Sequence, residues 1–431
     1  MPLSMLRENG IKRDMVLRRD HKVSIVINVL LAWLLPVVLL PAGCGDGGGD
    51  GGGFGGGGGG EPLGGGSGTT SVLYVANSGS DNVSGYSINA TSGTLSAIPG
   101  SPFVNVSAPS AIAVSSNGFF AYVANSPANN VTAFRVGTDG ALLLGESTAA
   151  TPNPAPVGTT PRAIAISQDS RFLYVANSGS DSVTVFSIGT AGVLTRVPPT
   201  MGNPNPAAVG GSAPIALATP QTGRFLYVAN SASNTVTAFQ IETSGLLTQV
   251  PPAGPGTNPI SVRGTGPTAL AMSPNGQFLY VTNGASNTVT AFQVATSGLL
   301  TLVPPAGSNP NPVSTGGATP NGIAVASNGA YLYIANGEGN VSAFAIGSNG
   351  LLTLVPASGT APNPTPAGSN PAAVTISQDG QFLYVANRGG NISAYTITSG
   401  SGTLVPLTPL LGNPFPAGTN PSAIAAPGQT S

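Results

Sequence analysis

L-Y-V-A-N, at Leu383–Asn387, is the phrase that organises this chain: copies of it, with small variation, end at Asn77, Asn125, Asn177, Asn230, Asn283, Asn336 and Asn387. The intervals are 48, 52, 53, 53, 53 and 51 residues. A period near fifty with strand-like content is the signature of a β-propeller, whose blades each contribute one supersecondary unit to a ring. Seven copies therefore predict an all-β, seven-bladed propeller over residues 71–431, where length alone would suggest two or three domains.

Working outward from the phrase gives the blade. From Pro267 the chain reads P-T-A-L-A-M-S-P-N-G-Q-F-L-Y-V-T-N-G-A-S-N-T-V-T-A-F-Q-V-A-T-S-G-L-L-T-L-V-P. Its four apolar stretches, separated by Asn, Gly, Ser and Pro clusters, are four antiparallel strands, here termed a, b, c and d. Strand b carries Tyr74, Tyr122, Tyr174, Tyr227, Tyr280, Tyr333 and Tyr384; strand c carries Tyr86, Phe134, Phe186, Phe239, Phe292, Phe344 and Tyr395. Aromatics recurring once per strand read as blade-to-blade packing, not as a binding platform. Strand a follows a proline in every repeat, at Pro109, Pro161, Pro214, Pro267, Pro320, Pro371 and Pro421. The last has no strand b behind it, and the first L-Y-V-A-N has no strand a before it. The final strand is therefore expected to complete the first blade and hide two edges. The connections from d to a carry N-P-x-P segments (Asn153–Pro156, Asn203–Pro206, Asn309–Pro312, Asn363–Pro366, Asn413–Pro416), read as stiff exposed loops.

Charge is scarce and unevenly placed. Six of the thirteen basic residues and the sole histidine, His21, lie in the first 22 residues; after Cys44 there are seven Arg, no Lys and eleven acidic residues. A surface of that balance does not attract phosphate backbones, so no nucleic-acid partner is expected. One cysteine excludes an intrachain disulfide framework.

Residues 1–43 read as an export signal: basic residues through Lys22, an apolar run from Val23 to Leu40, then L-P-A-G-C ending at Cys44. This resembles a bacterial lipoprotein signal with Cys44 as the lipidated residue, although Pro41 stands where Leu is usual. An uncleaved signal anchor is the alternative, and both tether the ring to a membrane on the exported, cell-envelope side. Residues 44–70 are almost all glycine, a flexible coil with an r.m.s. span of about 25–30 Å. The tract matches G-x-G-x-x-G trivially, with no strand before it or helix after it, and no cofactor is expected.

In a propeller the d-to-a loops and b-to-c turns share one rim. On it fall Asp81, Asp181, Glu338 and Arg388 in b-to-c turns, Arg263 in a d-to-a loop, and Arg162 at the start of a strand a. These six are the candidate ligand-binding rim; Glu338, Arg388 and Asp81 belong to neighbouring blades once the ring closes. Ordinary solvated loop charge is the competing reading. Turns Asn77–Asn82 and Asn177–Ser182 offer oxygen ligands but one carboxylate each, too few for a calcium loop, and no metal is expected.

S-Q-D-G-Q-F-L-Y-V-A-N from Ser377, followed elsewhere by N-x-V-T-A-F-x-I and G-L-L-T, resembles the seven-bladed lactonase-like propellers, which include 6-phosphogluconolactonase-like proteins and Y-V-T-N-repeat surface proteins. Tyr280–Asn283 spells Y-V-T-N. The resemblance implies polar and charged groups at the channel mouth, among them an Arg and a His on entry to strand a. In T-P-R-A-I-A from Thr160, Arg162 fits and Ala163 stands in the histidine's place. Lactone hydrolysis needs a base and oxyanion donors; without histidine the base falls to Asp81, Asp181 or Glu338. The leading expectation is accordingly a tethered rim that binds a protein, glycan or small ligand. The alternatives are a lactone hydrolase, with Arg162, Asp181, Asp81 and Glu338 as its candidate catalytic groups, and a surface scaffold without a discrete ligand.

Overall fold

The computed structural model describes residues 71–252, 257–307, 310–358, 361–408 and 412–427. The export signal, Cys44 and the glycine tract lie outside the described residues. The remainder forms seven antiparallel sheets, each with the spatial order a-b-c-d. Blade five is representative: Pro267–Met272, Phe278–Asn283, Thr288–Val294 and Leu300–Leu302. Blade one takes b, c and d from Val72–Asn77, Asn82–Ile88 and Leu95–Ala97, and its inner strand from Pro421–Ala425, with Val75 opposite Ile424. The first and last strands of the ring thus meet in one sheet, as the unpaired Pro421 segment predicts. Each strand a touches the strand a of both neighbouring blades, so these seven strands form the inner ring. Blades six and seven approach closely there, since a Cβ on Gly322 would lie 2.9 Å from the backbone of Ala373.

The apolar core lies between blades. One cluster joins Tyr227, Ala229 and Val236 of blade four to Leu270, Leu279 and Phe292 of blade five; another joins Leu73 and Tyr86 of blade one to Phe382, Tyr384 and Ile392 of blade seven. The strand-b tyrosines are wholly buried, and the strand-c aromatics nearly so. Each such ring buries about 150–250 Å², worth roughly 4–6 kcal/mol of gross transfer free energy.

A buried phenol needs a partner, and six of the seven find one in the next blade. Tyr74, Tyr122, Tyr227, Tyr280, Tyr333 and Tyr384 donate to the carbonyls of Gly140, Gly192, Gly298, Gly350, Gly402 and Gly93, at 2.6 to 3.2 Å. The Tyr384–Gly93 bond joins blade seven to blade one. Glycine is required at these turns: Gly298 has φ of +85°, and a Cβ there would lie 2.4 Å from the Phe225 ring. Tyr174 is the exception, with a buried hydroxyl that finds no partner.

The d-to-a segments do more than stiffen loops. In six blades two residues form a short fifth strand on strand c, as at Ala207–Ala208 against Ser182 and Val183. An asparagine just before it clamps the same strand. Asn258 Oδ1 accepts from Ala238 N at 2.9 Å, and its Nδ2 donates to the carbonyls of Ala238 and Val250 at 2.8 and 2.7 Å. The amide copies a peptide group and continues the ladder where strand d has ended. Asn153, Asn205, Asn311, Asn363 and Asn413 do the same. In blades three and five the clamp is therefore Asn205 and Asn311, two residues beyond Asn203 and Asn309.

These bonds predict a contrast between chemically identical changes. Tyr227→Phe orphans the Gly298 carbonyl and is expected to cost about 1–2 kcal/mol, whereas Tyr174→Phe removes an unpartnered buried hydroxyl and is expected to cost less than about 0.5 kcal/mol; denaturant unfolding of both variants checks this.

Burial raises the phenol pKa of Tyr74, Tyr122, Tyr174, Tyr227, Tyr280, Tyr333, Tyr384 and Tyr395 above the ordinary 10.0. The folded state holds these protons more tightly than the unfolded chain, so their stabilising contribution is complete below about pH 10 and is lost as pH rises beyond it. A chemical-denaturation series from about pH 8 to 12 should show midpoints constant at first and then falling from about pH 10, to the extent that the tyrosines control it.

Candidate functional site

The rim is built around the entry to each inner strand. The residue before the strand-a proline is left-handed in every blade, as at Thr160, Ala213 and Thr319 (φ 54°, 53° and 51°). In five blades its N–H is taken by a side chain from the preceding blade's b-to-c turn. Asp81 accepts from Ala108, Asn129 from Thr160, Asp181 from Ala213, Asn234 from Gly266 and Asn287 from Thr319, at 2.5 to 2.8 Å. The five acceptors are themselves left-handed, a conformation that Asn and Asp tolerate. Asp81 and Asp181 thus sit where other blades use a neutral amide. The turns of blades six and seven are one residue shorter, with Gly339 and Gly390 at positive φ.

Glu338 Oε1 accepts from Asn340 of its own turn at 2.8 Å, and Arg388 donates its backbone N–H to Asn370 O at 3.0 Å. Arg263 is left-handed (φ 59°) at the place where Gly210 and Gly316 stand in adjoining loops. Among the described residues the one ion pair within 4 Å is Arg171–Asp169, at 3.8 Å in an a-to-b turn, so none joins two of the six rim residues. No three of His, Cys, Asp and Glu cluster among the described residues.

Arg162 has a different setting. The ladder between strands a and b skips the second residue of every strand a, a β-bulge that leaves this residue unpaired and re-aims its side chain. The seven bulged residues are Ser110, Arg162, Ile215, Thr268, Asn321, Ala372 and Ser422. Four spend their side chains on the next blade: Ser422 donates to Pro109 O, Ser110 to Pro161 O, Thr268 to Pro320 O and Asn321 to Pro371 O, at 2.6 to 2.9 Å. Arg162 is exposed and is the single charged residue on the seven inner strands.

The model of the family described as "Lactonase, 7-bladed beta-propeller" matches residues 66–264, 211–367 and 315–413. The chain belongs to this family. Solved structures share its fold. A candidate 6-phosphogluconolactonase from Bacteroides fragilis is 21% identical, with a TM-score of 0.64 over 84% of this chain and 99% of the other. The periplasmic gluconolactonase of Pseudomonas aeruginosa is 20% identical, with a TM-score of 0.63 over 83% and 98%. No curated protein sequence matches the chain.

In this lactonase-family ring one rim feature escapes a reading of charges along the loops. A cleft of about 500 Å³ between the loop entering blade three and that blade's b-to-c turn is lined by Asp181 and also by Arg196, from strand d. Arg196 is not among the rim candidates of the sequence, where its sole signal is its contrast with other repeats. The same third position of strand d holds Ala97, Leu144, Gln249, Leu302, Leu354 and Pro406.

Proposed function

We propose that this protein hydrolyses small sugar lactones at the mouth of its channel, with Arg162 as the electrophilic group. The observation that carries the reading is the lone charge of the inner ring, set on a bulge and left exposed, in a chain of the lactonase family. A guanidinium facing the lactone carbonyl stabilises the negative charge that develops when water attacks, and fixed donors of this kind contribute about 10²–10³-fold to such reactions. Water adds to the carbonyl carbon, the ring C–O bond breaks, and the water's proton passes through a carboxylate to the departing ring oxygen, giving a hydroxy acid. Asp181, in the same blade as Arg162, is the preferred carboxylate; Asp81 and Glu338 are the others on this rim.

The second reading is binding of a protein, glycan or small ligand without turnover. It is supported by Asp81 and Asp181 each already holding a backbone N–H of the next blade, and by the lack of any histidine after His21. The two readings part on turnover. A panel of sugar lactones should be hydrolysed by the chain, and Arg162→Ala should lower kcat by about 100-fold or more with an unchanged melting transition, because Ala372 already occupies the same place in blade seven. A folded chain without turnover would leave the binding reading in place, and full activity in the variant would move the site away from Arg162.

Export and membrane tethering belong to the same proposal, supported by the basic leader, the apolar run Val23–Leu40 and the small residues before Cys44. Cys44→Ser is expected to shift the protein from the membrane fraction to the soluble fraction. Retention in the membrane by the variant would favour an uncleaved anchor over a lipid.

A further inference from the structure

The seven blades are near-copies, so each position can be judged against six internal references. At the b-to-c acceptor position the ring uses Asp81, Asn129, Asp181, Asn234 and Asn287, with glycines in the two short turns; the third residue of strand d is apolar in five blades and Gln249 in a sixth. Blade three alone combines an acidic acceptor with a basic strand-d residue, and the two line one cleft. Although they share that cleft, Asp181 and Arg196 form no ion pair within 4 Å. The protein bond of the Arg196 side chain, from Nη2 to Asn205 O, is 3.5 Å long and therefore weak, so most of its five-donor fork is unspent.

Around this pair stand Thr159, Asn129, whose Oδ1 already accepts from Thr160 while its Nδ2 remains a donor, and Ser180 and Ser182, whose hydroxyls bond each other and keep part of their capacity. Hydroxyls and amides both donate and accept, which is what a vicinal diol requires. Pro206 adds an apolar patch for the C–H face of a ring. A guanidinium fork pairs with a planar carboxylate through two parallel bonds. The volume of about 500 Å³ accommodates one or two sugar rings.

We propose that the cleft of blade three binds an acidic sugar, its carboxylate on Arg196 and its hydroxyls on Asp181 and the surrounding hydroxyl and amide groups. Arg162 lines no part of this cleft, which shares only Asp181 with the hydrolytic reading, so Arg196 is the group that sets the two sites apart. Calorimetric titration of the full-length chain with glucuronate, and with glucose as the neutral control, tests it.

The repeats supply the variants. Arg196→Leu installs the residue of Leu144, Leu302 and Leu354, and Asp181→Asn installs that of Asn129, which makes the same bond to the next blade. Glucuronate should bind; Arg196→Leu should weaken it by about tenfold or more, Asp181→Asn should weaken it severalfold, and glucose should bind at least about tenfold more weakly, with melting curves unchanged. Arg162→Ala should leave binding intact. If Arg196→Leu lowers the melting temperature, Arg196→Gln, the residue of Gln249, must show the same loss. Absence of glucuronate binding, equal binding of glucose, or full binding by the Arg196 variant would each overturn the proposal.

Discussion

A phenol hydroxyl that reaches out of its own sheet and into the turn of the next is the interaction on which this ring depends. It forces the receiving residue to be a glycine, because the carbonyl is offered from a left-handed turn against a neighbouring side chain, an aromatic ring at five of the six. It also fixes the separation between blades, since a buried phenol left without its acceptor costs more than the bond returns. Repeated at six of the seven blade junctions, the contact turns stacking of sheets, which apolar burial alone would leave free to slide, into a defined angular step. Its last instance, from Tyr384 to Gly93, links residues 291 positions apart, so closure is specified by a polar bond and not only by area.

The scaffold is otherwise self-sufficient. Asparagines clamp strand c where strand d gives out, bulged hydroxyls bond the next inner strand, and turn residues cap the entry to the following blade. Apart from the buried Oδ1 atoms of Asn77, Asn177, Asn230, Asn283, Asn336 and Asn387, which find no partner, the repeat spends its polar groups on itself, so the places where one copy departs from the others are where our proposals fall. Arg162 stands where the other bulges carry an uncharged residue, and Arg196 where five of the other strands carry an apolar one. Both departures fall in blade three.

The period, the four strands, the inward packing of the repeated tyrosines and the completion of blade one by the Pro421 segment were all legible in the sequence, because each rests on local patterning and turn chemistry. The rim was harder to read. Asp81 and Asp181 are scarce charges on exposed turns, and scarcity suggests a site; their bond to the following blade becomes visible only when Asn129 and Asn234 are seen making the same one. The N-P-x-P segments look like spacers until the amide of Asn153 is placed against the backbone of Ala133 and Gly145. Arg196 ends a three-residue strand of which only Leu194 is buried, where nothing local separates a cleft wall from a solvated edge. Contacts between side chain and distant backbone carry no periodic trace, and those are the contacts that define this rim.

The inner strand of blade one is made of residues 421–425, so the ring has an order of manufacture. On a growing chain, blades two to seven acquire all their strands in sequence, while Val72–Asn77 waits with an open edge for a partner still to be synthesised. The first blade to begin is the last to be finished. Until then the nascent chain is an open arc with unpaired backbone at one end, and its protection from other strands before closure has to come from something other than its own fold.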